Sequence, residues 1–170
     1  MDAAALRAMQ APYKDKYKDA PDAAVITLKA QGAIDEAKIA CKVETGRALA
    51  VAGLHPATGG SGLELCSGDM LLEALVACAG VTLKAVATAL EIPLTSASVR
   101  AEGDLDFRGT LGVAKDAPVG FREIRLAFEV DAGDTPQEKL DTLLKLTERY
   151  CVVFQTLNAK PALAVSLNRA

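Results

Sequence analysis

The sequence predicts an α+β domain, and three features carry that prediction. Strand-like stretches are grouped before and after one long apolar segment of helical character, not alternated with helices singly as a parallel α/β sheet requires. A second helix with clear start signals follows late in the chain. At 170 residues, 51% of them apolar, the chain can bury one core, so a single main domain is expected.

The opening stretch to Tyr17 has helical spacing, and Pro21 punctuates a linker. The β-branched residues of AAVITLKAQGAI then predict a strand starting near Ala23. The chain is thus divided into an N-terminal helical extension, residues 1–22, and a main domain, residues 23–170. EAKIACKVETGRALAVAG follows, with Ile39, Cys41 and Val43 on one face, a break at Gly46, and Leu49 and Val51 resuming the apolar pattern. Both stretches read as hairpin strands. Residues 53–62, with four glycines and a proline, form a loop. From Asp69 to about Leu90 the sequence is apolar with few polar positions, so the helix should be central and covered on most sides, with Ser67 or Asp69 capping its start. SASVRAEGDLDFRGTLGV and GFREIRLAFEVDAG alternate as strands around a turn at 116–120, with Ile124, Leu126 and Phe128 on one face. Thr135, Pro136 and Glu138 then announce a helix as N-cap, first helical position and capping box. VVFQTL after Cys151 reads as a continuation or a second short helix. PALAVSLNR closes as a strand.

Twenty-two acidic against 19 basic residues, with no basic block, leave no electrostatic footprint for nucleic acid or an anionic membrane. A small molecule or a protein is the expected partner. The first 22 residues lack the order of a signal peptide, no apolar run is expected to approach the roughly 18 residues of a membrane span, and a cytoplasmic location is expected.

Four cysteines, Cys41, Cys66, Cys78 and Cys151, lack CxxC or other paired spacing, and so do not read as a secreted disulfide framework. Cys41, at an apolar strand position, reads as core. Cys78 lies two and a half turns into its own helix, beyond the reach of that helix's start, so its reactivity requires a cation from another element. Cys151 follows TERY; if the chain breaks there and restarts, its sulfur meets a fresh helix start with Arg149 close by.

SGDMLLEALVACAGVTL, with an acid nine positions before a cysteine and a threonine four after it, resembles the OsmC/Ohr family (osmotically inducible protein C and organic hydroperoxide resistance proteins). LTERYCVVFQTL resembles that family's second cysteine motif. The resemblance implies an OsmC-like fold, with antiparallel sheets around a long buried central helix, in an intertwined homodimer. It also implies thiol-dependent reduction of a small lipophilic organic hydroperoxide: Cys78 attacks, Cys151 resolves the sulfenic acid as a disulfide, and an external dithiol donor, rather than a bound cofactor or metal, restores both. Asp69 takes the place of the family's glutamate, and has to lie in the turn before the helix to approach Cys78. Arg47, after Gly46, is the nearest counterpart of the catalytic arginine, with Arg108 and Arg149 as other sources of the cation.

Two departures stand against a simple transfer. Arg47 is closer to the cysteine in sequence than the family pattern implies, and Cys66-Ser67-Gly68 replaces the proline common before the helix. They favour a second reading, a non-catalytic OsmC-like redox-sensing or small-ligand-binding protein. Cys66, just ahead of a helix start, reads as a third redox cysteine or as packing beneath the glycine-rich loop. His55, the sole histidine, reads as a loop residue able to accept a proton or bind a ligand, without the short spacing to Cys66 of a zinc motif. GGSG lacks the rest of a phosphate-binding loop. Asp104 and Asp106, two apart on an expected strand, read as surface charge.

Overall fold

A computed structural model of the chain describes residues 2–19, 31–34, 40–44, 49–112 and 114–169; the expected strand start near Ala23, and Arg47, lie outside them. The described elements are α1 (Ala3–Asp19), β1 (Gln31–Ile34), β2 (Ala40–Glu44), β3 (Leu49–Gly53), β4 (Leu65–Cys66), α2 (Ser67–Ala89), β5 (Ser96–Asp104), α3 (Phe107–Thr110), β6 (Glu123–Asp131), α4 (Gln137–Tyr150) and α5 (Val152–Asn158). One sheet has the order β1-β2-β3-β4, antiparallel except for a two-residue parallel contact between β3 and β4. The other is the antiparallel hairpin of β5 and β6, paired from Ser96–Asp131 to Asp104–Glu123. Helices and small antiparallel sheets in this order make the α+β fold that the sequence predicts.

α2 organises the core. Leu75, Ala79, Leu83 and Ala87 recur every four residues and form a buried stripe. The stripe meets β5, α4 and α5. At Gly80 the helix faces Val99 of β5, with room for a Cβ at an ordinary contact distance of 3.6 Å. Val99 and Ala101 on β5 and Ile124, Leu126 and Phe128 on β6 face this side, as the alternation predicts. Each leucine of the stripe contributes about 1.5–3 kcal/mol by leaving water.

The helix is covered on less of its circumference than expected: Val81 is 73% exposed. It is also long and apolar enough, by length and composition, to cross a membrane, which corrects the expectation that no run approaches that length. Its stripe packed on a sheet and two helices is the arrangement of a core helix.

α2 ends in a Schellman motif. Glu91 takes φ 57°, while the Glu91 amide donates to the Thr88 carbonyl at 3.2 Å and the Ile92 amide to the Ala87 carbonyl at 2.9 Å. Ile92, 5% exposed, joins Ala87 in the core and seals the turn before Pro93.

Several local expectations are overturned. Cys66 is the N-cap of α2, so Ser67 and Asp69 lie inside the helix and neither caps it. β5 stops at Asp104, because Asp106 accepts the Arg108 amide at 3.1 Å and starts the short α3 where strand was expected. The capping box at Thr135 does not form. Pro136, extended at ψ 145°, is the N-cap of α4, and the Thr135 hydroxyl donates back to the Ala132 carbonyl at 2.6 Å. The expected strand in PALAVSLNR is absent: residues 160–169 have no assigned structure, and Leu163, Val165 and Leu167 are 88%, 97% and 97% exposed.

Candidate functional site

α4 ends at Tyr150 and α5 begins at Val152, so Cys151 alone occupies the joint. The Cys151 amide closes α4 on the Thr147 carbonyl at 3.0 Å, and its carbonyl accepts the Gln155 amide of α5 at 2.9 Å. This is the chain break that the sequence suggested after TERY. The joint places Cys151, 1% exposed, in one apolar cluster with Leu75 and Ala79 of α2. Cys78, partly buried, packs against the same cluster with Val153 and Phe154 of α5. The two motif cysteines, 73 positions apart in sequence, are thus brought together, both as free thiols.

Their environments push them in opposite directions. Burial raises the Cys78 thiol, but hydrogen bonds from the Val153 amide, the Cys151 thiol, the Val152 amide and the Thr82 hydroxyl outweigh it, and its pKa falls below the ordinary cysteine value. Thr82 has one hydroxyl proton, which it donates to the Cys78 carbonyl at 2.8 Å; it reaches the sulfur only by turning away, in keeping with its place as the weakest of these contributions. Cys151 moves upward, first through burial and then because its proton is held by the Cys78 sulfur, against the amides of Phe154 and Val153. The pair therefore reads as a thiolate-favouring Cys78 beside a protonated Cys151. A thiolate is the nucleophilic form, and an adjacent thiol is suited to condensing with an oxidised sulfur.

Among the described residues, the groups that reach the Cys78 sulfur are backbone amides, the Cys151 thiol and the Thr82 hydroxyl. The fresh start of α5 serves both sulfurs, as the sequence reading expected for Cys151: the Val153 and Val152 amides reach Cys78, and the Phe154 and Val153 amides reach Cys151. Arg149 lies over the Tyr150 ring, 5.6 Å from its centre. Arg108 is engaged by Asp106 through bonds of 2.6 and 2.9 Å. Asp69 sits in the first turn of a regular α2, nine residues and about 13 Å of helix rise from Cys78. It lines a separate cavity of about 350 Å³ with His55, Cys66, Leu72, Phe107 and Phe121. Within the chain, Asp69 is therefore not brought to Cys78. His55 accepts the Ala57 amide on Nδ1 at 3.0 Å and stacks on Phe107, with ring centres 4.8 Å apart. Cys66 lies beneath, its Sγ 3.5 Å from where a Gly68 Cβ would stand. Asp104 and Asp106 each hold an arginine, Arg125 and Arg108 respectively. The backbone of β2 is described at Cys41 but its side chain is not.

Beside the cysteines runs a groove of about 320 Å³, whose apolar wall includes Leu75, Ile124, Leu126, Phe154 and Leu157. The first four also surround the cysteine cluster. A larger concavity, about 490 Å³, lies between α1 and the far end of α2 and contains no cysteine. Sequence reasoning missed the donors Val152 and Val153 because a backbone amide leaves no mark on residue identity; the break after Tyr150 was the only signal. It missed the groove because α5 was left undecided.

The comparisons with known proteins bear on the fold and the family. A family model described as OsmC-like protein matches residues 60–166. No curated protein matches the chain. Among solved structures, an OsmC-like protein from Mycoplasma pneumoniae superposes with a TM-score of 0.65 at 16% identity, covering 79% of this chain and 89% of that one. An organic hydroperoxide resistance protein OsmC from Legionella pneumophila gives 0.61 at 16% identity, covering 80% and 92%. An organic hydroperoxide resistance protein of Bacillus subtilis gives 0.52 at 18% identity, covering 81% and 94%. At these identities the structures speak to the fold alone, and the family model spans more than half of the chain. With its two cysteine motifs meeting between α2 and α5, this chain belongs to the OsmC-like protein family.

Proposed function

We propose that the protein reduces organic hydroperoxides with the Cys78–Cys151 pair. The observation that carries this reading is the contact of a thiol driven toward thiolate with a buried thiol driven away from it. In the first step the Cys78 thiolate attacks the terminal peroxide oxygen. The O–O bond breaks, the alkoxide leaves and takes a proton as the alcohol, and Cys78 becomes a sulfenic acid. In the second step the Cys151 sulfur displaces the hydroxyl of that acid as water, forming the Cys78–Cys151 disulfide. An external dithiol then returns both cysteines to thiols and leaves as its own disulfide. Apolar surroundings at Leu75, Leu126 and Phe154 favour a lipophilic peroxide over hydrogen peroxide.

The protein is proposed to act as a cytoplasmic homodimer. The uncovered side of α2 at Val81 and the exposed apolar residues of 160–169 supply surface that a second copy would cover. Arg47 keeps its proposed role as the cation for Cys78, whereas the carboxylate role of Asp69 finds no support within the protomer.

Thiol titration before and after one equivalent of cumene hydroperoxide tests the reading. Wild-type protein is expected to lose two thiols per chain and Cys78→Ser none, with normal melting of the variant. An unchanged count in wild type would sink the peroxidase and leave the non-catalytic reading, a redox-sensing or ligand-binding member of the family.

A further inference from the structure

The groove beside the cysteines has one cation in its wall, Arg122, among the described residues. Four arginines lie on or around the β5–β6 hairpin, and three already face carboxylates, Arg100 lying 3.7 Å from Glu102. Arg125 binds Asp104 through bonds of 2.5 and 2.9 Å and lies 3.5 Å from Glu123. Arg108 binds Asp106 at 2.6 Å. The charge of Arg122 is felt by Asp104 and Asp106, yet Asp104 is held by Arg125 and Asp106 by Arg108. Among the described residues no carboxylate lies within ion-pair reach of the Arg122 guanidinium, whose residue is fixed at the strand start by its amide donating to the Asp104 carbonyl at 2.8 Å. Glu123 shares the groove wall, but its charge is directed to Arg125.

The groove is therefore mainly apolar, with the exposed, unengaged Arg122 guanidinium, the Arg125-paired Glu123 and the Asn158 amide in its lining. Its apolar part touches the thiols' own surroundings. Leu75 precedes Cys78 by three residues and Phe154 follows Cys151 by three, spacings that set neighbours on one helix face. About 320 Å³ is at the small end of ligand pockets, suited to one medium-length chain.

We infer that Arg122 is a specificity-determining residue, receiving the carboxylate of a fatty-acid hydroperoxide whose apolar chain lies along Leu75, Ile124, Leu126 and Phe154. The inference rests on the proposed peroxidase reading for its substrate, but not for its binding geometry. A planar fork of N–H donors suits a carboxylate, and a neutral ester in the same place leaves it unanswered.

Two measurements test it on the full-length protein. The first compares kcat/KM for a fatty-acid hydroperoxide and its methyl ester; the second compares the calorimetric affinity of decanoate with that of methyl decanoate, neither of which is a peroxide. Wild type is expected to prefer the acid in both, and Arg122→Gln to lower that preference about tenfold, the order of a charge-assisted hydrogen bond partly screened by water. Arg122→Lys should restore part of it. If wild type consumes neither hydroperoxide, the peroxidase reading fails while the decanoate comparison still decides the inference. Equal affinity for decanoate and its ester, or an acid preference that survives in Arg122→Gln, overturns the role assigned to Arg122.

Discussion

Gly103 offers the sharpest test of how the wall between groove and cavity is built. It faces inward on β5, opposite Ile124, and the Phe121 ring lies across it. A Cβ at 103 would stand 2.5 Å from Phe121 Cε1, 2.6 Å from Cδ1 and 3.4 Å from Leu72 Cδ2. Carbon atoms settle at about 3.5–4.0 Å, so the ring has to retreat by about 1 Å. Phe121 borders both the groove and the His55–Cys66 cavity, so its retreat deforms both. Forcing a methyl into a packed site costs about 1–3 kcal/mol, and Gly103→Ala should destabilise by that amount. In a Phe121→Ala background the clash is gone, and the same change should stabilise by about 0.5–1 kcal/mol, because alanine loses less backbone freedom than glycine in a strand. The double-mutant cycle should therefore report a coupling of about 1.5–4 kcal/mol. Urea denaturation of the four proteins at one protein concentration measures it. A neutral Gly103→Ala, or a cost that persists without the ring, would refute the reasoning.

Other predictions follow from the same structure. Leu143→Ala, at a position 2% exposed between α4 and the Leu83 cluster, should cost about 2–5 kcal/mol in urea denaturation; a loss below 1 would mean the cluster collapses around the gap. Glu91→Gly should stabilise by about 0.5–1 kcal/mol by relieving a side chain in the left-handed region, since the 3.8 Å Arg7–Glu91 pair it removes is exposed and worth little. Cys151→Ala removes the thiol that donates to Cys78, so the pH profile of Cys78 alkylation, read in a Cys66→Ser background, should move upward; an unmoved profile would assign the lowering to the amides alone. The Asp106 carboxyl is held down to about 2 by the Arg108 side chain, so its folded pKa lies below its unfolded one. Its contribution to stability is complete above the ordinary aspartate range and is lost as pH falls toward 2, and Asp106→Asn should flatten that part of the melting curve against pH.

Much of this was legible in the residues. Alternation set the inward face of β6, and the apolar run located α2, because both patterns are local consequences of side-chain direction. The motif cysteines were legible through the family resemblance, since spacing alone favoured Cys151 and left Cys78 without an activator. What failed depended on neighbours outside the local pattern. Thr135 reads as a cap until Pro136 extends the backbone and moves the helix start one residue on. PALAVSLNR alternates as a strand must, but alternation does not supply an edge to pair with. Asp69 has the family's sequence spacing, yet within one chain a helix that begins at Ser67 carries it to another cavity.

The seat of Cys151 at the α4–α5 joint makes it a gauge. With 1% of its surface in contact with solvent, it is closed to a bulky maleimide in the resting fold, whereas Cys66 and Cys78 are partly open. Its labelling rate, in protein whose other thiols are already blocked, therefore measures how often the two helices part, and converts into the free energy of that local excursion when reclosing outruns the reagent.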